Sequence, residues 1–307
     1  MDQIFWVGLV ASAFRLGTPI LLAALGEAVS QRSGVLNVGI EGMMLVGAFT
    51  GVLGGVLTGS PWLGLLVAMA AGMAMAAIHA LLCLRFLLDQ IVVGIAMTVL
   101  GLGLSGFGNR ITLGAEKTVA APSFARVDLG PLADIPFLGP ALFQHTALVY
   151  IALVLAVALW WLVSRTGWGI AIRAVGESPA AAHAAGINVI RTRLACVLLG
   201  GALAGAGGAF LSIAQIGNFV DDMVAGRGFI AIACVVYGRW NPLGVLLATL
   251  FFGAADAAQI RLQALYPGIA YQFFVMLPYL LAIGALVFFS KSSRLPAALA
   301  QPFAPPR

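Results

Sequence analysis

Three polar interruptions in an otherwise apolar chain hold the residues that could do chemistry. The first runs from Gly26 to Gly42 and carries Glu27, Asn37 and Glu41. The second runs from Arg173 to Asn188 and carries Glu177, Ser178, Pro179 and His183 in an alanine-rich setting. The third starts at Gln215, carries Asn218, Asp221 and Asp222, and reaches a further Pro/Gly break at Tyr237 to Pro242 after a short apolar stretch. Asp256 and Gln259 follow on the next segment, three residues apart and so on one helical face. In lipid each unpaired backbone group costs several kcal/mol, so irregular backbone survives only when buried in protein or lining a water-filled cavity. Ionisable groups at such places mark candidate functional sites. Glu27, Asn37 and Glu41 either face a transported molecule or cap the break itself. Asn37 and Glu41, four apart, are expected on one helical face. The third group either lines a pathway through a discontinuous helix or serves as polar glue between helices, worth about 0.6 kcal/mol per bond.

The second interruption has a local grammar of its own. Ser178 suits a helix N-cap, Pro179 the first helical position, and Gly186 the residue just past the end. Together they predict a self-contained helix of about two turns, marginal in water without something to pack on. Its alanine faces suit either a plain surface connector or a helix that seats in a partner's groove.

These interruptions need spans to position them. The chain has 307 residues, 62% hydrophobic and only 9% charged, with a mean hydropathy of +1.05. A soluble domain carries about 25% charged residues, so the solvent here is lipid. At about 20 apolar residues per crossing, spans are expected near 4–28, 36–58, 63–84, 88–108, 146–164, 192–216, 228–239, 243–260 and 270–289. The fold class is therefore an all-α polytopic integral membrane protein. It has about nine helices (eight to ten), with broken or re-entrant segments. Residues 1–307 form a single transmembrane domain. Met1-Asp2-Gln3 lacks the basic start of a secretory signal, so the first segment is expected to stay as a span.

Loop charge sets the expected orientation. Arg165, Arg173 and Arg191 outweigh Glu177 in the loop 165–191, whereas acids and bases balance across 109–145. The positive-inside rule then puts 165–191 and the tail 290–307 in the cytoplasm, with the N-terminus and the Pro-rich loop 109–145 outside. Orientation accounts for the net charge of +5 without nucleic acid. Ser60-Pro61-Trp62-Leu63-Gly64 and Asn241-Pro242-Leu243-Gly244 each open a span, and the topology runs them in opposite directions, as an inverted repeat would.

The remaining singletons read as structural. Cys83, Cys196 and Cys234 lack pair spacing and are expected as buried thiols. His79 and His183 have no partner at metal-ligand spacing, Arg15 and Arg85 can snorkel, and the tryptophans, Trp240 among them, suit an interfacial belt. Lys117 and Lys291, the chain's lysines, sit outside any phosphate-binding loop, so the chain is not its own P-loop ATPase.

With these segments in view, a resemblance emerges. Gly26-Glu27 through Gly42-Met43-Met44 resembles the Asn-x-Gly-x-Glu-Gly signature of ABC importer permeases for ribose-type sugars, nucleosides and branched-chain amino acids. Arg173 to Glu177 and Ala184 to Asn188 resemble that family's cytoplasmic coupling segment. Gly226-Arg227-Gly228-Phe229 and Gly238-Arg239-Trp240-Asn241-Pro242-Leu243-Gly244 are similar to the nucleoside branch, whose receptors are basic-membrane-type lipoproteins. The resemblance covers about residues 5–290 and implies a permease in a bacterial cytoplasmic (inner) membrane, with no catalysis and no cofactor or metal of its own. It further implies a separate ABC ATPase, a second permease subunit (a sister chain or a second copy) and an external substrate-binding lipoprotein. On that footing Glu27, Asn37, Glu41, Gln215, Asn218, Asp256 and Gln259 line the substrate pathway, and Glu177, Ser178, Pro179, Ala181, Ala182 and Gly186 dock the ATPase. The residues by themselves leave open an ion-coupled transporter with Glu27, Glu41 and Asp256 as proton carriers, or a passive channel. A mere anchor needs neither polar breaks nor intramembrane acids. Within the resemblance, sugar and branched-chain amino acid substrates also stay open.

Overall fold

The computed structural model describes residues 2–114, 120–127, 130, 135–136, 139–266, 268, 270–278, 280–281, 283–284 and 295–304. Its helices are α1 (Asp2–Arg32), α2 (Ile40–Thr58), α3 (Pro61–Ala80), α4 (Gln90–Asn109), α5 (Ala147–Arg165), α6 (Gly167–Glu177), α7 (Pro179–Ala184), α8 (Val189–Ala209), α9 (Arg227–Tyr237), α10 (Pro242–Leu265) and α11 (Tyr271–Val275). Seven of the described helices are long and apolar enough to cross a membrane: α1–α5, α8 and α10. The protein is all-helical and polytopic, as its composition demands.

Small residues decide where these helices sit. Lipid is as apolar as leucine, so helices associate through close backbone contact rather than by escaping solvent. A Cβ added at Gly26 would stand 2.8 Å from the Gly200 Cα, and one at Gly47 would stand 2.5 Å from the Gly205 Cα. These glycines draw α1 and α2 onto α8, and the three form a buried centre ringed by α3, α4, α5 and α10.

The packing is reciprocal. Helix α1 packs along α10, and α8 packs along α3. Each unit runs as a long buried helix, a break, a second helix and a Pro-initiated helix: α1–α2–α3 and α8–α9–α10. Pro61 and Pro242 both occupy the first turn of the third helix, behind Ser60 and Asn241. The sequence echo thus marks corresponding positions in the two units.

Three differences from the sequence reading have physical causes. The expected span 36–58 begins four residues later, because 33–39 folds as a sealed break, which takes Asn37 off the helix that carries Glu41. The stretch 228–239 is an 11-residue helix about 16 Å long, too short to cross the ~30 Å hydrocarbon core. Segment 165–191 contains a further helix, α6, held by Thr166 as its N-cap. The expected span 270–289 and loop 109–145 lie partly outside the described residues.

The close glycine contacts yield a prediction. Gly26→Val forces α1 off α8 and should lower the yield of monodisperse protein and its melting point, with overpacking costing about 1–3 kcal/mol. A Cβ at Gly103 meets nothing within 4 Å, so Gly103→Val should leave both unchanged in a detergent melting assay.

Candidate functional site

The break after α1 is closed by side chains. Ser30, Gln31, Ser33 and Gly34 turn the chain, with Gly34 at φ 92° and the Ser33 amide donating to the Ser30 carbonyl at 3.0 Å. Glu27 reaches down the helix, and its Oε1 accepts from the Asn37 amide at 3.0 Å and from Gln31 Nε2 at 2.8 Å. Gln31 Oε1 in turn accepts from Trp240 Nε1 at 2.7 Å. Arg32 Nε donates to the Trp240 carbonyl at 3.0 Å, and Gln90 Oε1 accepts from the Leu36 amide at 2.8 Å. Asn37 Oδ1 accepts from the Gly39 amide at 3.1 Å. The amide orientation of Gln31 follows from its neighbours: one is an N–H donor and the other a carboxylate oxygen. Glu27 Oε2 is buried and has no partner among the described residues.

Trp240 is thereby no interfacial anchor; it is 1% exposed. Arg239 and Trp240 both stand in the left-handed region, at φ 54° and 55°. Two successive non-glycine residues hold that conformation only where their surroundings impose it. Burial of the indole and its bond to Gln31 supply the constraint.

Glu41 does different work. Its Oε1 accepts from the Gly226 amide at 2.7 Å and its Oε2 from the Gly228 amide at 2.6 Å. Those are orphan donors at the start of α9, a half-length helix whose N-terminus stops inside the molecule. A carboxylate there gains two charge-assisted bonds and the favourable end of the helix dipole. Gly228 is obligatory on packing grounds, since a Cβ there would sit 2.6 Å from Glu41 Oε2. Arg227 lies within electrostatic reach of Glu41 and of Asp256, and its Nη1 donates to the carbonyls of Met223 and Val224 at 3.2 Å.

The sequence-expected residues therefore fall into two sets. Glu27, Asn37 and Glu41 are buried and engaged with backbone, closed to solvent in this state. Gln215, Asn218, Asp256 and Gln259 are half-buried, and among the described residues Gln215 Oε1 and Asn218 Oδ1 are buried acceptors without partners. Gln31, Gln90 and Arg193 carry no expected role from the sequence, and Arg227 and Trp240 enter there only within the family motifs and, for Trp240, as an interfacial residue. The spacing Glu27–Gln31 carried a helical i, i+4 signal; the others join only through tertiary packing.

The face holding α7 is built from the same chain ends. Ser178 Oγ caps the Ala181 amide at 3.4 Å, Pro179 opens the helix, and Gly186 at φ 83° ends it. Ala182 is buried against Val175 and Val189, while Ala181 and His183–Gly186 are exposed. Helix α6 delivers α7 to the break, with Gly176 packed directly against the Arg32 carbonyl. The segment 295–304 then straps the assembly. Ala298 N donates to the Gly176 carbonyl at 2.9 Å, Ala300 N to the Gly34 carbonyl at 3.1 Å, and Arg193 Nη1 to the Gln301 carbonyl at 3.0 Å. Buried Arg193 also donates from Nε to the Ser33 carbonyl at 3.1 Å.

Helices α6 and α7 and the segment 295–304 thus tie the break to one face of the molecule. Comparison with known proteins decides the family. Residues 9–286 match the permease component of the branched-chain amino acid transport system. The chain belongs to this family of ABC transporter permeases. It is 38% identical to the guanosine ABC transporter permease NupQ of Bacillus subtilis over 96% of both chains. It is 33% identical to the nucleoside ABC transporter permease NupC of Lactococcus lactis over 92% of both. A Haloferax volcanii permease provisionally named for glucose, TsgC13, is 41% identical over 85% of this chain and 79% of its own length. No solved structure matches significantly. The permease therefore makes and breaks no bonds, and ATP hydrolysis lies with a partner ATPase.

The Glu41 contact is testable in this permease. Glu41→Ala leaves the buried Gly228 amide unpaired, at about 1–3 kcal/mol, and frees the half-buried Gly226 amide as well. Glu41→Gln keeps one acceptor and turns an NH2 toward an N–H. Melting points should fall in the order wild type, Gln, Ala, and Gly228→Ala should match the Ala variant; equal melting points across the four would remove the cap.

Proposed function

We propose that this permease carries nucleosides inward across the cytoplasmic membrane. The reading rests first on the similarity to NupQ, which extends over nearly the whole of both chains. The site's electrostatics agree with a neutral cargo. Half-helix N-termini in transporters commonly receive an anionic substrate group, and here Glu41 already occupies the start of α9. What stays available on the half-buried side is amide chemistry: the unpaired oxygens of Gln215 and Asn218, with Gln259 and Asp256 on α10. Such groups suit the hydroxyls and base edges of a nucleoside. A simple sugar is the second reading, favoured by the relative named for glucose.

Glu27, Asn37, Glu41, Gln215, Asn218, Asp256 and Gln259 line or shape the pathway, the first three by holding the break and α9 in place. Orientation follows the basic residues: Arg32, Arg85, Arg165, Arg173, Arg191, Arg193 and Arg239 gather at the end carrying α7. That end faces the cytoplasm, with the N-terminus outside and the C-terminus inside. The exposed alanine face of α7, with Glu177, Ser178, Pro179, Ala181, Ala182 and Gly186, docks the ATPase. A second permease subunit and an external substrate-binding lipoprotein complete the importer. Closure of the ATPase moves α7 as a rigid body, and α6 and the strap pass that motion to the break.

Reconstitution tests this directly. Proteoliposomes with the permease, its ATPase, a sister permease and the binding lipoprotein should accumulate labelled guanosine only with ATP. Gly186→Pro, which cannot adopt φ 83° and lacks the N–H bonded to the His183 carbonyl, should leave ATP hydrolysis running while uptake falls at least about tenfold. Accumulation of glucose but not guanosine would overturn the substrate, and intact coupling in that variant would overturn the docking role.

A further inference from the structure

At the end of the molecule opposite α7 lies a polar cavity of about 410 Å³ between α1, α5, α10, the helical continuation of α8 at Phe210–Ile216 and the connection preceding α5. Three guanidinium groups line it, Arg15 from α1, Arg126 from the connection and Arg261 from α10, together with His145, Thr146 and Gln215. Arg261 is fixed in place: its Nη1 donates to the Phe5 carbonyl at 2.7 Å, and its guanidinium lies 5.4 Å over the Phe5 ring. Among the described residues none of the three arginines pairs with a carboxylate. Among the described residues, Thr146 Oγ1 and Gln215 Oε1 at the cavity are buried without hydrogen-bond partners.

His145 reports the field. Its Nε2 stands 3.0 Å from the Ala141 carbonyl, which can only accept, so that nitrogen carries the proton. Burial pushes the imidazole below its ordinary pKa, the Ala141 bond opposes this, and the charges of Arg15 and Arg126 depress it further. Arg15 and Arg126 thus act on His145 as neighbouring positive charges, which among the described residues pair with no carboxylate.

Depth narrows the chemistry. Arg15 lies 17 positions from Arg32 on one continuous helix, about 25 Å along the axis. With Arg32 at one surface of a ~30 Å hydrocarbon layer, exposed Arg15 stands about 5 Å short of the opposite boundary, from which its long side chain can snorkel toward the lipid phosphates. An exposed arginine on an apolar helix is costly unless it meets water, backbone or an anion. Guanidinium forks match tetrahedral oxyanions bidentately. The volume leaves room for a phosphate and for the polar group esterified to it, whose hydroxyls can meet Thr146 and Gln215.

We propose that this cavity is a phosphate-ester site, with Arg15 and Arg126 closing on the phosphate against a fixed Arg261. The ester comes either from an anionic lipid headgroup or from a soluble phosphate. The site lies apart from Glu41 and α9, shares Gln215 with the pathway proposed above, and recognises its ligand through the three arginines rather than through the cargo.

The test uses the full chain purified in neutral detergent, titrated with dioctanoyl-phosphatidylglycerol, dioctanoylglycerol or inorganic phosphate while the melting point is followed. Wild type should be stabilised by the phosphate-bearing probe and not by dioctanoylglycerol. Arg15→Gln and Arg126→Gln should each require at least about tenfold more of it. Arg126 is an exposed residue of a connecting segment, so Arg126→Gln should fold with an unchanged ligand-free melting point. Response to phosphatidylglycerol alone assigns the site to lipid, and response to inorganic phosphate assigns it to a soluble ester. No response to either probe, or titrations of wild type and Arg126→Gln that superimpose, would overturn the proposal.

Discussion

No backbone N–H or C=O can be left unpaired where water is absent, and the architecture of this permease follows from how it meets that constraint at two breaks. Regular spans satisfy themselves. At 33–39 and at the start of α9 the chain leaves helical pairing inside the protein, and acidic and amide side chains take over. Glu27 and Gln31 seal the first break, and Glu41 caps the second across 185 residues of sequence. Both seals end on elements of the other structural unit, Trp240 for the first and Gly226–Gly228 for the second. The two units are thus joined at their irregular points as well as along their glycine seams.

This arrangement gives a physical route from one face to the interior. Helix α7 rests on Val175 and Val189, α6 touches the break through Gly176, and the segment 295–304 bonds to Gly34 and Gly176 together. A push on α7 therefore meets backbone already fastened to the break. The break is bonded to Trp240 and α2 carries the cap of α9, so the two seals are built from elements of both units. Discrete hydrogen-bonded seals favour two packed states over continuous deformation, as switching transitions require.

Much of the fold was legible because it depends on local pattern. Apolar length located the crossing helices to within a few residues, Pro61 and Pro242 marked matching helix starts, and Ser178, Pro179 and Gly186 bounded α7. The polar breaks were legible as candidate sites because glutamates in apolar sequence are rarely incidental. Their partners were not. Nothing local distinguishes Trp240 from the other tryptophans, and only tertiary packing brings it to Gln31. Asn37 and Glu41 have helical spacing, yet Gly34 and the Glu27 carboxylate hold Asn37 outside the helix. The strap at 295–304 was invisible for a related reason: its bonds are made by backbone amides, which carry no residue-type signal.

The central claim is that the Glu41 carboxylate holds the start of α9. Hydrogen–deuterium exchange of the full chain in lipid nanodiscs reads that contact at the amides of Gly226 to Gly228. Glu41→Ala should speed exchange there by at least about tenfold, as local opening replaces a bonded state, while amides in the centre of α8 keep their wild-type protection. Equal exchange at the start of α9 in both proteins would contradict the account.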